Sequence, residues 1–328
     1  MGRGLRIWVS ESVGAYHIMS RVAGGELLFN DIHKNYFLKL LEIFAAGFFV
    51  RIHAFAIMGN HFHILVTTMD QEAIFATKEE LLCRYRLMYG KDEFPPPGRF
   101  DKNGNLLPDD DEGYERLRER LSSVSRFMQE LKQTFSRWYN KQNNRKGYLW
   151  GDRFKSIIVY TGDIQLICSA YIDLNPVRAG LVILPEAYKW SSIGLRVMFP
   201  ERAKKLLHPL PQKQKPMNSV LPLSSANRPQ VDYNQLDFYL ECLYFCGDVK
   251  SDKKKSAPEN TRKQAVACID RLGIGYKLNK RIRNLSEGIA VGDYNSISNL
   301  QKSEERKFIR PRYFLDSQWL CSTRTLRN

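Results

Sequence analysis

Apolar and polar positions alternate with two different periods through the first half of the chain. Residues 15–22, AYHIMSRV, form a β-rich run and predict a strand. In DIHKNYFLKLLEIF, residues 31–44, Ile32, Tyr36, Phe37, Leu40, Leu41 and Phe44 recur at helical spacing, and Asp31 stands where a cap is needed. Two further β-rich runs, FVRIHAFAIM (49–58) and HFHILVTT (61–68), are joined through Gly59-Asn60, which predicts a hairpin. Val124, Phe127, Met128, Leu131, Phe135, Trp138 and Tyr139 then mark a long amphipathic helix, with Arg126, Lys132 and Arg137 on its other faces. DRFKSIIVY (152–160) predicts a strand. DIQLICSAYIDLN (163–175) predicts a helix stopped by Pro176, which disfavours the helical conformation in the residue before it. The order β-α-β-β-α-β plus one helix predicts an α+β fold, a ferredoxin-like or RRM-like antiparallel sheet with packed helices.

Breaks in this pattern set the domain organisation. Residues 90–113, GKDEFPPPGRFDKNGNLLPDDDEG, combine four prolines with an acidic run and read as a loop inserted into a catalytic domain spanning 1–197. A Pro-, Ser- and Lys-rich stretch predicts a linker over 198–230. Residues 231–328 are then expected to form a basic, mainly helical C-terminal extension. Within it, LSEGIAVGDYNSISNLQK is the candidate for a small helical DNA-binding unit, although no clear helix-turn-helix is present and a solvated basic extension is the plainer reading.

Composition adds a class of partner. Of 328 residues 43% are hydrophobic, enough for a sizeable core, and 50 Lys and Arg against 35 Asp and Glu leave a formal charge of +15. Residues 250–328 hold 18 Lys and Arg against 8 Asp and Glu, so +10 of that charge lies in the tail. Such an excess favours a polyanion, nucleic acid or an anionic membrane face. No apolar run reaches the roughly 18–20 residues that span a bilayer, and the N-terminus lacks an apolar signal region, so no membrane role and a cytoplasmic location are expected. The six cysteines are scattered. Cys242 and Cys246 are spaced to share a helical face, but no second Cys/His pair lies near them in sequence, so buried thiols are expected rather than a zinc site.

Candidate chemistry sits in IMGNHFHILV, residues 57–66. In a strand, His61 and His63 project to one face and Phe62 and Ile64 to the other, so two imidazoles stand together as half of a divalent-metal site or as hydrogen-bonded structural histidines. Tyr171 and Asn175 are four apart in the last predicted helix and share a face, which brings a phenol and a carboxamide to one region. The plainer alternative is a packed tyrosine and a helix-terminal asparagine.

Taken together, HAFAIMGNHFHILV (53–66), GYLWGDRFKS (147–156) and YIDLNPVRAGLV (171–182), in that order, resemble the single-tyrosine HUH transposases, in particular the group of REP-associated tyrosine transposases of bacteria. The resemblance covers roughly residues 14–195. It implies that His61 and His63 are metal ligands, Asn175 the third, amide ligand and Tyr171 the nucleophile, placing all the chemistry before residue 195. The implied reaction is cleavage and rejoining of single-stranded or hairpin DNA through a 5′-phosphotyrosine intermediate, with Mg2+ as cofactor and Mn2+ able to substitute. Tyr148, Trp150, Arg153 and Lys155, extended by Lys132, Arg137, Arg145 and Lys146, are the candidate DNA contacts, by base stacking and phosphate binding. A nucleoid-associated bacterial protein acting as monomer or homodimer is expected. Two rivals remain: an HUH replication initiator or relaxase-type nickase, and a non-catalytic RRM-like nucleic-acid-binding regulator.

Overall fold

The computed structural model describes residues 14–90, 111–160, 163–210, 234–247, 259–272, 278, 285, 290–292, 294–303, 309–314 and 317–325. Strand β1 (Gly14–Arg21) leads into helix α1 (Asp31–Gly47), then β2 (Val50–Ile57) and β3 (His61–Thr68), which pair as the expected hairpin. After an inserted helical unit come α5 (Val124–Gln142), β4 (Lys155–Tyr160) and α6 (Asp163–Asp173). β1 pairs antiparallel with both β3 and β4, which gives the spatial order β2-β3-β1-β4. The α+β fold and this antiparallel core follow the sequence expectation, because each strand run buries one face against helices.

The helix ends differ in detail from the reading of the sequence. Asn30, not Asp31, caps α1: its side chain accepts from the His33 amide at 3.1 Å while the His33 ring accepts from the Asn30 amide at 3.2 Å. The cap sets the helix phase so that Ile32 points outward, 67% exposed, and the buried stripe runs through His33, Phe37, Leu38, Leu40, Leu41 and Phe44. α5 buries Phe127, Met128, Leu131, Phe135 and Tyr139 as its periodicity predicts.

The inserted unit comprises α2 (Asp70–Phe75), α3 (Lys78–Tyr89) and α4 (Asp111–Ser122), around a small core of Phe49, Leu81, Tyr85, Leu117 and Leu121. Of the 90–113 segment read as a loop, residues 91–110 lie outside the described residues, and its end already belongs to α4. Residues 198–210, read as the start of a linker, include α9 (Pro200–Leu206), which follows α8 (Ser192–Met198). Ala203, Leu206 and Leu207 are buried in the main core, and Leu207 bridges to Ile52 at the outer edge of β2. The remainder, 211–230, lies outside the described residues.

The extension is mainly helical, with α10 (Asn234–Cys246), α11 (Glu259–Leu272) and a helix over Tyr294–Ser303, but it also extends the sheet. β5 (Ala290–Gly292) pairs parallel with β4 and is followed in space by β7 (Ser317–Thr325) and β6 (Ile309–Phe314), giving order β2-β3-β1-β4-β5-β7-β6. One sheet therefore runs through both halves of the chain. Cys242 and Cys246 are buried thiols, as expected. Among the described residues no helix is long and apolar enough to cross a membrane.

Candidate active site

Strand register decides which polar side chains meet. Arg21 lies opposite His61, Met19 opposite His63 and His17 opposite Leu65, so His17, Arg21, His61 and His63 share one face of the sheet. Lys155 lies opposite Met19 on the other flank of β1 and belongs to the same face. Phe62 points to the reverse face, where it packs on Phe37 at 4.8 Å and on Trp150 at 5.4 Å between ring centroids.

The two candidate metal-ligand histidines are oriented by protein partners. His61 Nδ1 lies 2.6 Å from Asn60 Oδ1, and His63 Nδ1 lies 2.9 Å from His17 Nε2. With Nδ1 engaged in each ring, Nε2 is the nitrogen each presents to a ligand. The ring centroids of His61 and His63 are 5.2 Å apart. Burial, reinforced by the charge of Arg178, pushes the His17 pKa down to about 4, with the Leu285 carbonyl working the other way. Burial likewise drives His63 well below its usual value, helped by His17, His61, Arg178 and Arg21. Both rings are therefore neutral near pH 7, the form that ligates a cation.

Tyr171 reaches this group from α6. It is 3% exposed, and its ring stands edge-on to His17 at 6.1 Å and to His63 at 6.3 Å. α6 ends at Asp173 and the short α7 (Asn175–Arg178) follows after Leu174, the Leu174 amide donating to Ala170 and the Arg178 amide to Leu174. α6 ends just before Pro176, as expected, and Pro176 sits in the first turn of α7, where its missing N–H is tolerated, so a short helical turn follows the stop. Tyr171, Asn175 and Arg178 thus fall at i, i+4 and i+7 on one stripe. The Arg178 guanidinium lies over the Tyr171 ring at 4.1 Å and donates to the Tyr171 carbonyl at 2.8 Å and the Leu278 carbonyl at 3.0 Å.

The donor set suits a divalent cation. The side-chain nitrogen of Asn175 is buried without a hydrogen-bond partner, and turning the amide over would place an oxygen there that a cation can satisfy. Among the described residues no three His, Cys, Asp or Glu side chains converge as metal ligands, so a cation here would draw on two imidazoles, an amide and open positions.

The candidate DNA contacts divide into two groups. Lys132, Arg137, Tyr148, Trp150 and Arg153 line a cleft of about 930 Å3 between α5 and residues 147–154. Tyr148 is 91% exposed there, and Arg137 and Arg153 are exposed. Trp150 is instead half-buried in an aromatic cluster with Phe29, Phe37, Phe62 and Phe135, its indole N–H donating to the Lys132 carbonyl at 3.2 Å. Lys132 is buried, donates to the Asp152 carbonyl at 2.9 Å and lies over the Trp150 ring. Lys155 is exposed on the histidine face, Lys146 is exposed, and Arg145 is half-buried with one terminal nitrogen buried and unpartnered.

No family model matches the chain, and no curated protein matches it. Among solved structures it is similar to the REP-associated tyrosine transposase bound to a REP hairpin, at 14% identity and a TM-score of 0.39, over 70% of this chain and 98% of that one. An overlap that loose transfers neither fold nor function, so the reading of this site rests on its own residues.

Five residues were not anticipated from the sequence. His17 and Arg21 are polar positions of β1 four apart, hence on one face, a signal available in GAYHIMSR. Arg178 is seven residues beyond Tyr171, a helical repeat hidden by the expected stop at Pro176. Leu278 and Leu285, both fully buried in the main core, belong to the extension and carried no local signal.

Proposed function

We propose that the chain is a metal-dependent single-tyrosine DNA transposase or endonuclease that cleaves and rejoins single-stranded or hairpin DNA. The observation that carries this reading is the meeting of Tyr171 with His63 and His17 at one buried point, with His61 beside them and Asn175 on the Tyr171 stripe. Tyr171 Oη attacks a phosphorus atom; the O–P bond forms, the bond from phosphorus to the 3′ oxygen breaks, and the phenolic proton ends on that oxygen. The product is a 5′-phosphotyrosine and a free 3′-hydroxyl, and attack by a second strand's 3′-hydroxyl reverses the step without a nucleotide cofactor. A divalent cation held by His61, His63 and Asn175, Mg2+ or Mn2+, would supply polarisation of a non-bridging phosphate oxygen when bound.

The protein's own groups hold this chemistry in place. His17 orients the His63 ring, and Asn60 the His61 ring. Leu278 and Leu285, both buried, give backbone contacts to Arg178 and to His17. Along the approach, Tyr148 offers a ring for base stacking, while Arg137, Arg153, Lys155, Arg145 and Lys146 supply phosphate contacts. Trp150 and Lys132 build the cleft wall rather than reach into solvent.

The test is incubation of the full chain with single-stranded DNA from the flanks of its own gene, with Mn2+ or with EDTA, followed by denaturing electrophoresis. A protein–DNA adduct is expected with Mn2+, absent with EDTA and absent in Tyr171→Phe, which should still bind DNA. An adduct persisting in Tyr171→Phe would remove the nucleophile assignment. Binding that survives chelation with no adduct in any condition would favour the non-catalytic regulator.

A further inference from the structure

We propose that Arg178 is a catalytic residue of the Tyr171 site, the cation that grips the non-bridging oxygens of the phosphodiester under attack. The inference rests on the nucleophile reading above and names the group that handles the phosphate charge. Its basis is a cation with no acidic partner. Arg51, Arg84, Arg118, Arg120 and Arg202 each pair with a glutamate, at Glu72, Glu80, Glu115, Glu130 and Glu42. Arg178 is different: among the described residues it has no carboxylate partner, and its side chain meets the Tyr171 side chain and two backbone carbonyls, those of Tyr171 and Leu278.

Desolvating a charge without a countercharge is costly, and the environment already registers the cost: burial pushes the Arg178 pKa down to about 10. A fold keeps such a group where an anion arrives to neutralise it. The position fits, because the guanidinium lies at van der Waals distance from the ring whose oxygen is to bond phosphorus. Its charge is also felt at both His17 and His63. The guanidinium has five N–H groups in a planar fork, two of which are used by the carbonyls, so further donors remain for phosphate oxygens. Attack on phosphorus builds negative charge on the non-bridging oxygens, so a fixed cation there favours the transition state over the bound substrate.

A substrate change separates this role from a structural one. Once the cleavage position is mapped with the natural oligonucleotide, the same oligonucleotide is made with a methylphosphonate at that linkage, which replaces a charged oxygen by a methyl group. Single-turnover adduct formation is followed in Mn2+ for wild type and Arg178→Ala, alongside DNA affinity and thermal unfolding. Loss of Arg178 should slow the phosphodiester reaction by about 100-fold and leave the methylphosphonate reaction nearly unchanged, since the charge it answers is gone. An equal loss on both substrates would show a merely structural role, and no loss on the phosphodiester would remove the assignment outright. Should Arg178→Ala fail to fold, Arg178→Lys carries the same comparison: it keeps the charge but not the fork and should show a smaller loss confined to the phosphodiester. A wild-type protein that forms no adduct overturns the nucleophile reading and this inference with it. A wild type that reacts beside an Arg178→Ala that reacts equally overturns this inference alone.

Discussion

His53 shows how one side chain couples stability to pH. It sits at the irregularity in β2 with its Nε2 3.0 Å from Thr67 Oγ1, and burial, joined by His208, Arg51 and Arg196, lowers its pKa from 6.5 to about 3. The unfolded chain takes up this proton near pH 6.5 and the folded one only near 3, so the stability contributed by neutral His53 is complete above 6.5 and is lost as pH falls through that window. His17 and His63, also held neutral by burial, act in the same direction. Replacing His53 by glutamine, which can still meet Thr67, should make the acid loss of stability shallower by at most about 1.4 kcal/mol per pH unit. Urea unfolding of both proteins at a series of pH values checks this, and parallel curves would contradict it. At this scale the site was partly legible: the i, i+2 spacing of His61 and His63 puts them on one face of any strand. That His17 joins them depends on which strand lies beside β3, which no local spacing encodes.

Among elements, α8 is the least forgiving. It presents Ser192, whose hydroxyl donates to Asp173 at 2.6 Å, and the amide of Ile193, which donates to the same carboxylate at 3.0 Å. The phenol of Tyr239 on α10 donates to the other oxygen at 2.8 Å. Asp173 is thus the point where α8 and the extension both grip the helix that carries Tyr171. α8 passes so close to the preceding turn that a Cβ on Gly194 would lie 2.0 Å from the Tyr188 carbonyl oxygen, a backbone atom that cannot swing away. Gly194→Ala should therefore cost roughly 1–3 kcal/mol or more, read as a lowered urea midpoint with an unchanged slope. Tyr239→Phe removes one of three donors to a buried carboxylate and should cost about 1–3 kcal/mol by the same measurement. An unchanged midpoint in either variant would show that α8 or α10 does not hold α6. Periodicity predicted α1, α5 and α6, each with a strong apolar stripe. It missed α8 and α9, which are seven residues long and too short to show a helical period above the noise of a loop.

Over the whole molecule, most of the positive charge lies where the sheet is completed. Removing residues 250–328 takes away net charge +10 together with β5, β7 and β6, and withdraws Leu278 and Leu285 from the core. The shortened protein should bind DNA more weakly and with a flatter dependence on salt, the slope falling by about 0.7 for each lost contact to a single-stranded phosphate. It should also melt earlier, since β4 loses β5, one of its two neighbours, at Ile158 and Val159. Fluorescence anisotropy across a salt series and thermal unfolding test the two effects separately; an unchanged salt slope would show that the tail's charge does not meet DNA.

The amino-acid sequence alone determined what short-range geometry determines: the β-α-β-β-α-β order, the hairpin at Gly59-Asn60, the shared face of His61 and His63, and the shared stripe of Tyr171 and Asn175. These follow from the periods of the strand and the helix, which are properties of the backbone. Tertiary structure decided the rest. Pairing of β1 with β3 brought His17 and Arg21 to His61 and His63; packing of an aromatic cluster drew Trp150 inward; and folding of the extension onto the sheet brought Leu278, a hundred residues later in the chain, to Arg178, and Leu285 to His17. Contacts between distant segments are selected by burial of the whole core, and no window of sequence contains both partners.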